Sequence, residues 1–198
     1  MMIKTTVKDN GFEGILLPGD GRKNKVVIVM SGSNGGMKLT KQSAEFYDRN
    51  GIPALALALF GTKGTQPFLD KVPVEYVENA IKWLKGQGYE KIGVDGMSKG
   101  SMIAIENIKA PVLMLSSKND TVWPSYESSV YMEKKFTEIN YLYPHKHVAY
   151  ESMSHALLTE LPFIYKLAFK AERNNPKGCK KDREKMKKEL LDWVNEVW

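Results

Sequence analysis

The amino-acid sequence predicts an α/β fold with a mainly parallel, doubly wound sheet. Short apolar runs alternate with segments whose apolar residues recur at helical spacing, and this alternation is typical of parallel strands joined by helices. A length of 198 residues is enough for one domain with a sizeable core and too short for two ordinary domains. The hydrophobic share of 42% and the charged share of 26% are typical of globular proteins. We therefore expect a single domain over residues 1–198.

The first half of the chain predicts four strands and two helices. Strands are expected at residues 11–18, 25–30, 52–59 and 91–95, and helices at residues 39–50 and 74–85. After Lys25 the second strand is apolar throughout, as expected for a strand covered on both faces. Gly51 follows the first helix and Gly86 begins the turn after the second, and glycine is a common signal for the end of a helix.

The second half predicts strands at residues 110–116 and 146–150, a helix at residues 125–136, and a last helix near the carboxyl terminus. The last helix is indicated by an apolar stripe of Met186, Leu190, Val194 and Val197. Much of the net charge of +6 lies at its entry, in Lys177, Lys180, Lys181, Arg183, Lys185, Lys187 and Lys188. We interpret these residues as a solvated face and expect no nucleic-acid partner, because interleaved aromatic residues and a recognised reading element are missing.

Composition also bears on compartment and cofactors. No stretch approaches eighteen apolar residues, so no membrane span is expected. Residues 1–10 lack the apolar core and the small-residue cleavage site of a secretory signal. The single cysteine, Cys179, lies in a polar run without a disulfide partner or neighbours at metal-ligand spacing. We expect a cytoplasmic protein that needs no metal and no cofactor.

The segment Gly96-Met97-Ser98-Lys99-Gly100 has the form of a nucleophile elbow. Glycines two positions before and after the serine allow a sharp turn from a buried strand into a helix, because a bulky side chain fits at neither position. Such a turn would expose the Ser98 hydroxyl at the carboxyl edge of the sheet. Ser98 is therefore the candidate nucleophile, with an ordinary turn serine as the alternative.

Two later residues complete a catalytic pattern. Asp120 follows the predicted strand at 110–116 and His155 follows the strand at 146–150, so serine, acid and histidine occur in the chain order of an α/β-hydrolase triad. His155 would accept the serine proton, and Asp120 would hold the imidazole in the correct tautomer. Asp120 could instead cap the helix at 125–136, and His155 could be a surface histidine.

Weaker candidates exist for each role. The alternatives to Asp120 as the acid are Asn119, Asp95 and Glu151, and the alternatives to His155 as the base are His145 and His147. The negative charge of an acyl-transfer transition state needs preorganised amide donors. We assign this oxyanion hole to the amide of Lys99 together with that of Ser33 or Asn34, in the small-residue loop after the strand at 25–30.

Several runs resemble the catalytic domain of the bile acid-CoA:amino acid N-acyltransferase and acyl-CoA thioesterase family. They are residues 54–61, 69–76, 96–100 and 119–125 and the pair Ser154-His155, and the similarity spans about residues 11–198. The resemblance implies an α/β-hydrolase fold, the triad Ser98, Asp120 and His155, and a small-molecule substrate of the acyl-CoA thioester type. The amino-terminal immunoglobulin-like domain of the animal members is absent from these residues.

The spacing after the elbow departs from that pattern. Ser98 lies only 22 positions before Asp120. The elbow helix, another strand and a lid-bearing excursion cannot all fit there at about 1.5 Å per helical residue and about 3.3 Å per strand residue. We infer a missing segment of several tens of residues with its join near residues 101–103. An intact mass near 22.4 kDa would contradict that inference.

The sequence thus predicts a serine hydrolase or acyltransferase that acts on acyl thioesters through an acyl-Ser98 intermediate. An alternative with the same triad is a carboxylesterase or dienelactone-hydrolase-like enzyme on small oxygen esters. A third interpretation, favoured only if the short chain is continuous, is a noncatalytic remnant that serves as a binding module. The oligomeric state is not predicted.

Overall fold

The computed structural model describes residues 1–70, 72–98 and 109–198. The chain divides into two compact units, Met1–Asn107 (unit 1) and Ile108–Trp198 (unit 2). The expected join at residues 101–103 and the oxyanion candidate Lys99 lie outside the described residues. The single domain and the missing segment both stay predictions.

Unit 1 is built on a five-stranded sheet in the order β1-β2-β4-β3-β5. The strands are β1 (Ile3–Thr5), β2 (Glu13–Leu17), β3 (Lys25–Met30), β4 (Ala54–Ala58) and β5 (Lys91–Gly96). Strands β4, β3 and β5 are parallel, whereas β2 pairs antiparallel with both β1 and β4. The register places Met30 opposite Gly96, so the loops that follow β3 and β5 leave the sheet side by side.

Three helices connect these strands: α1 (Val7–Asn10), α2 (Lys38–Arg49) and α3 (Glu75–Gly86). Ala80 and Leu84 of α3 pack into one buried cluster with alternate residues of β3, namely Val26, Ile28 and Met30. Helix α2 contacts β3 and β4. Strand β3 is buried from Val26 to Met30, which explains the uninterrupted apolar sequence of these five residues.

Unit 2 contains the parallel pair β6 (Val112–Ser117) and β7 (His145–Tyr150), joined through α4 (Ser125–Glu138). Helices α5 (Phe163–Ala168), α6 (Lys170–Asn174) and α7 (Pro176–Asp192) follow, and a π-helical turn, Trp193–Val197, ends the chain. A small core joins β7 and the segment after it to α7 through Tyr150, Met153 and Met186. The register pairs Ser117 with Tyr150, so the segments after β6 and β7 begin next to each other.

Most of the elements expected from the sequence are present, with boundaries shifted by a few residues. Strand β1 and helices α1, α5 and α6 were not expected, because each spans only three to six residues and is too short to show a periodic pattern. Within residues 1–70, 72–98 and 109–198, no helix is both long and apolar enough to cross a membrane.

Candidate active site

Ser98 lies two residues beyond β5 in a strained backbone conformation. Its φ of 54° falls in the left-handed region, which it shares with only one other non-glycine residue of the described chain, Asn140. This conformation costs a side-chain-bearing residue on the order of 1–3 kcal/mol, and such strain clusters at functional sites. The Met97 amide donates to the Met30 carbonyl at 3.1 Å, which continues the pairing of β5 with β3 up to the turn. The described backbone is therefore that of a strand that ends close to a strained residue, Ser98, and its role as a nucleophile elbow stays a prediction.

The loop after β3 runs directly against this turn. A Cβ added to Gly32 would lie 2.8 Å from the Ser98 Cβ, 3.0 Å from the Met97 carbonyl oxygen and 3.3 Å from the Ser98 hydroxyl. Only glycine allows the two backbones to approach so closely. Ser33 and Asn34 follow at once and are exposed. This proximity supports the expectation that their amides face the reacting carbonyl, which stays a prediction.

We expect Gly32→Ala to damage the site more than the fold. The added methyl group meets backbone and Cβ atoms that cannot rotate away, so the turn at Ser98 must shift. A misplacement near 1 Å can cost about 10²-fold in kcat, and overpacking costs about 1–3 kcal/mol of stability. Esterase kinetics and thermal melts would measure both. Gly86→Ala is the matched control, because its Cβ would meet nothing within 4 Å; equal kinetic effects of the two changes would contradict the prediction.

His155 and Asp120 form a close pair in unit 2. The His155 Nδ1 lies 2.8 Å from the Asp120 Oδ2, and the Asp120 side chain is 1% exposed while that of His155 is 19% exposed. The other carboxylate oxygen accepts the amides of Val122 and Trp123, both at 3.0 Å. Asp120 therefore shapes the turn before α4 and orients His155 at the same time. It does not cap α4, whose N-cap residue is Pro124 and has no side-chain cap bond, so the capping alternative is wrong.

The charge state of Asp120 fixes the histidine tautomer. Burial opposes ionisation of this carboxyl, but hydrogen bonds from His155, from the Trp123 and Val122 amides and from Ser125 outweigh it and hold the pKa of Asp120 below its ordinary value. An ionised carboxylate only accepts hydrogen bonds, so the proton between the two residues is on His155 Nδ1. The Nε2 atom of a neutral His155 is then left as the acceptor that a general base requires.

The two segments that carry the pair are tied together. The Lys118 amide donates to the Tyr150 carbonyl at 3.0 Å, and the Lys118 ammonium pairs with the Glu151 carboxylate at 2.5 Å. The Asn119 side-chain amide donates to the Glu151 carbonyl. The buried Ser117 hydroxyl donates to the Met153 carbonyl. These bonds join residues 32 to 36 positions apart and hold the acid and the histidine at a fixed spacing.

The weaker acid candidates have other partners. Glu151 is 71% exposed and pairs with Lys118, and Asn119 supports the Glu151 backbone. Asp95, in unit 1, accepts the hydroxyl of the buried Tyr47 at 2.8 Å. Burial raises the pKa of the Asp95 carboxyl, although the bond from Tyr47 opposes this shift. Of the four candidates, Asp120 is the one hydrogen-bonded to a histidine in the described structure.

The two other histidines face different surroundings. The His147 side chain is 7% exposed, with Nε2 2.7 Å from the Ser116 hydroxyl and Nδ1 3.5 Å from the Glu133 carboxylate. Ser116 is itself 0% exposed, so this serine and histidine form a structural contact without access for a substrate. The His145 Nδ1 lies 3.2 Å from the Tyr143 carbonyl, and its ring packs beside Phe136.

The last helix corrects one sequence interpretation. Arg183 does not belong to a solvated basic face, because it is 7% exposed and pairs with the buried Glu172 at 2.9 Å. Cys179, within the polar run, is also buried, and burial raises the pKa of its thiol to about 11. Helical spacing puts both residues beside Met186 on the packed side of α7, and that spacing was the signal available in the sequence.

Among the described residues, no group of three or more His, Cys, Asp or Glu side chains is placed to hold a metal ion.

Comparisons with known proteins give fold relatives only. No protein-family model matches the chain, and no curated protein matches it. The resemblance to the acyltransferase and thioesterase family is therefore not supported by these comparisons.

Solved structures similar to the chain are α/β hydrolases. A putative dienelactone hydrolase from Klebsiella pneumoniae has a TM-score of 0.71 at 16% identity, covering 99% of this chain and 98% of its own. Est1E from Butyrivibrio proteoclasticus, solved with ferulic acid bound, has a TM-score of 0.66 at 13% identity, and the match covers 97% of this chain and 100% of Est1E. An α/β serine hydrolase homologue from Coxiella burnetii has a TM-score of 0.57 at 15% identity, covering 96% of each chain. The chain therefore has the α/β-hydrolase fold, as expected from the triad order.

Proposed function

We propose that this protein is a serine hydrolase of carboxylic esters that works through an acyl-Ser98 intermediate. The observation that carries the proposal is the 2.8 Å pair of His155 Nδ1 with a buried carboxylate, Asp120, whose pKa is lowered. The strained turn at Ser98 supports the assignment of the nucleophile. In this proposal Ser98, His155 and Asp120 act as one triad.

The proposed reaction has two half-steps. The Ser98 oxygen attacks the ester carbonyl carbon and its proton passes to His155 Nε2, giving a tetrahedral oxyanion. We assign the oxyanion donors to the amides of Lys99 and of Ser33 or Asn34. Collapse of the oxyanion breaks the bond to the alkoxy group, which leaves as an alcohol with the proton from His155. Water then attacks the acyl-serine by the same route and releases the carboxylic acid and free Ser98.

Two substrate classes fit this chemistry. Small oxygen esters are supported by the structural relatives, which include a putative dienelactone hydrolase and a Thermogutta terrifontis esterase with propionate bound. Acyl thioesters of the CoA type are supported by the motif resemblance alone. We place oxygen esters first because the fold relatives include esterases and a putative dienelactone hydrolase. A noncatalytic binding role is the remaining alternative.

A matched substrate pair separates these possibilities. The two substrates carry the same acyl group and differ in the leaving group, so the ratio of their kcat/KM values reports the preference between an oxygen ester and a thioester. Because we propose oxygen esters as substrates, we expect kcat/KM for 4-nitrophenyl butyrate to exceed that for butyryl-CoA by at least about tenfold. Release of 4-nitrophenol and of CoA would be followed under the same conditions. A preference for butyryl-CoA would overturn the ester assignment in favour of a thioesterase. Turnover of neither substrate, with no labelling by a fluorophosphonate, would favour the binding role.

A further inference from the structure

The segment that carries His155 has no regular secondary structure of its own. It follows β7 and runs through residues 151–158, where the Leu157 amide donates to the His155 carbonyl at 2.9 Å. A general base must be held close to one geometry to work efficiently, and a side chain on a loop needs a surrounding shell of contacts to do so. The position of His155 therefore depends on what holds the residues on either side of it.

Ser154, directly before His155, is bound on several sides. Its hydroxyl donates to the Glu172 carboxylate at 2.9 Å, and its amide points to the same oxygen at 3.4 Å. The hydroxyl oxygen also accepts the Ala156 amide at 3.2 Å. Ser154 is 1% exposed, so these bonds are made away from water. One side chain thus fixes the backbone on both sides of His155.

The Glu172 carboxylate is in turn fixed by Arg183. The Arg183 Nη2 lies 2.9 Å from the same Glu172 oxygen. The Arg183 side chain is 9% exposed and the Glu172 side chain is 5% exposed. Glu172 belongs to the short helix α6 and Arg183 to the long helix α7. A buried ion pair is often no more stabilising than apolar residues of the same size, but it can specify one arrangement. This pair connects the rigid helix α7 to the backbone of the candidate base.

Helix α7 and its N-cap residue also hold the loop at Ser152, two residues before Ser154. The Ser152 amide donates to the buried Asp182 carboxylate at 2.8 Å, and the Asn175 side-chain amide donates to the Ser152 hydroxyl at 3.2 Å. The Cys179 thiol contacts the Ser152 carbonyl at 2.9 Å. Polar contacts from the amino-terminal half of α7 and from its N-cap residue, Asn175, thus converge on the segment that precedes His155.

We propose that Glu172 and Arg183 are positioning residues for His155 and act on it through Ser154. This inference rests on the proposed function, in which His155 is the general base. Neither residue touches the substrate in this scheme. Their role is to keep the imidazole aligned with Asp120, so that Nδ1 carries the proton and Nε2 is ready to accept one.

The first test removes only the Ser154 hydroxyl. We expect Ser154→Ala to lower kcat for 4-nitrophenyl butyrate by about 10–100-fold, with KM changed less than about twofold, because orientation of the base is lost while substrate contacts remain. Ser116→Ala is the matched control. Ser116 is as buried as Ser154 and lies in the same unit. Its hydroxyl lies 2.7 Å from His147 Nε2, so its removal leaves the contacts around His155 unchanged. The control should lower the melting temperature to a similar extent without lowering kcat.

The second test reads His155 without any substrate. The chain has three histidines, so spectra of protein labelled with 15N-histidine are simple to assign with a His155→Gln variant. In the wild type we expect the His155 ring nitrogen shifts of a single tautomer protonated at Nδ1. In Ser154→Ala and Glu172→Ala the His155 ring nitrogen shifts should move towards the averaged values of two tautomers. Glu172→Gln should restore part of the wild-type pattern, because the amide carbonyl of the glutamine still accepts a hydrogen bond from the Ser154 hydroxyl.

The outcomes separate this inference from the proposed function. Failure of the wild type to hydrolyse any ester would overturn the function, while the nitrogen shifts would still decide the positioning role. A folded Ser154→Ala with wild-type kcat and unchanged His155 shifts would overturn the positioning role. Should Glu172→Ala fail to fold, Ser154→Ala gives the same decision, since it leaves the Glu172–Arg183 pair intact.

Discussion

Replacing Ser98 with alanine should lower kcat for ester hydrolysis on the order of 10⁶-fold, the scale on which removal of a triad serine acts in other serine hydrolases. The reason is that no acyl-enzyme can form once the nucleophilic oxygen is gone. The loss should fall on kcat, and KM should change little. Initial rates with 4-nitrophenyl butyrate over a range of enzyme concentrations would measure it.

A covalent probe tests the same residue by a second route. A fluorophosphonate should add one phosphonyl group per wild-type chain, on the peptide that contains Ser98, and none to the Ser98→Ala variant. Ser43→Ala, on helix α2, is a matched control that should label like the wild type. Normal turnover by the Ser98→Ala variant would remove Ser98 from the nucleophile role.

Replacing Asp120 with asparagine should lower kcat about 10⁴-fold, as loss of the orienting carboxylate does in a serine-histidine-aspartate triad. The Asp120 Oδ2 lies 2.8 Å from His155 Nδ1 and can only accept a hydrogen bond there. An asparagine amide can donate instead, which favours the tautomer that is protonated at Nε2 and unable to take the serine proton. Steady-state kinetics at neutral pH would measure the loss.

Glu151→Gln is the matched control for the acid assignment. Glu151 was a candidate for the same role, but it is 71% exposed and pairs with Lys118. We expect its kcat to stay within about twofold of the wild type, since exposed ion pairs contribute little. A large loss in Glu151→Gln with a small loss in Asp120→Asn would reverse the assignment.

The Asp120 variant also has a pH signature in stability. The pKa of Asp120 is lowered in the folded protein from its ordinary value of 3.8. Its ionised form therefore stabilises the fold above about pH 3.8, and that contribution is lost as pH falls through the folded pKa. The stability difference between the wild type and Asp120→Asn should accordingly shrink on acidification, as measured by urea unfolding at several pH values.

Much of the secondary structure follows from local patterns. Lys25 and the continuous apolar run at residues 26–30 predicted β3 with the observed bounds, because a strand covered on both faces has no polar alternation to blur its ends. The helix at 39–50 was predicted within one residue at each end, because its apolar spacing and the following Gly51 are both local signals. The short elements β1, α5 and α6 could not be predicted in this way, since their stability comes from packing.

The sequence by itself determined the α/β fold class, the glycine-flanked turn at Ser98 and the chain order of serine, acid and histidine. Only the tertiary structure decided that His155 is bonded to Asp120, that His147 is buried against Ser116, and that Arg183 is buried against Glu172. The physical reason is distance along the chain. Periodicity reports the environment within a few residues, whereas the Asp120–His155 contact joins residues 35 positions apart. Such pairs form only where neighbouring parallel strands bring their carboxyl ends together.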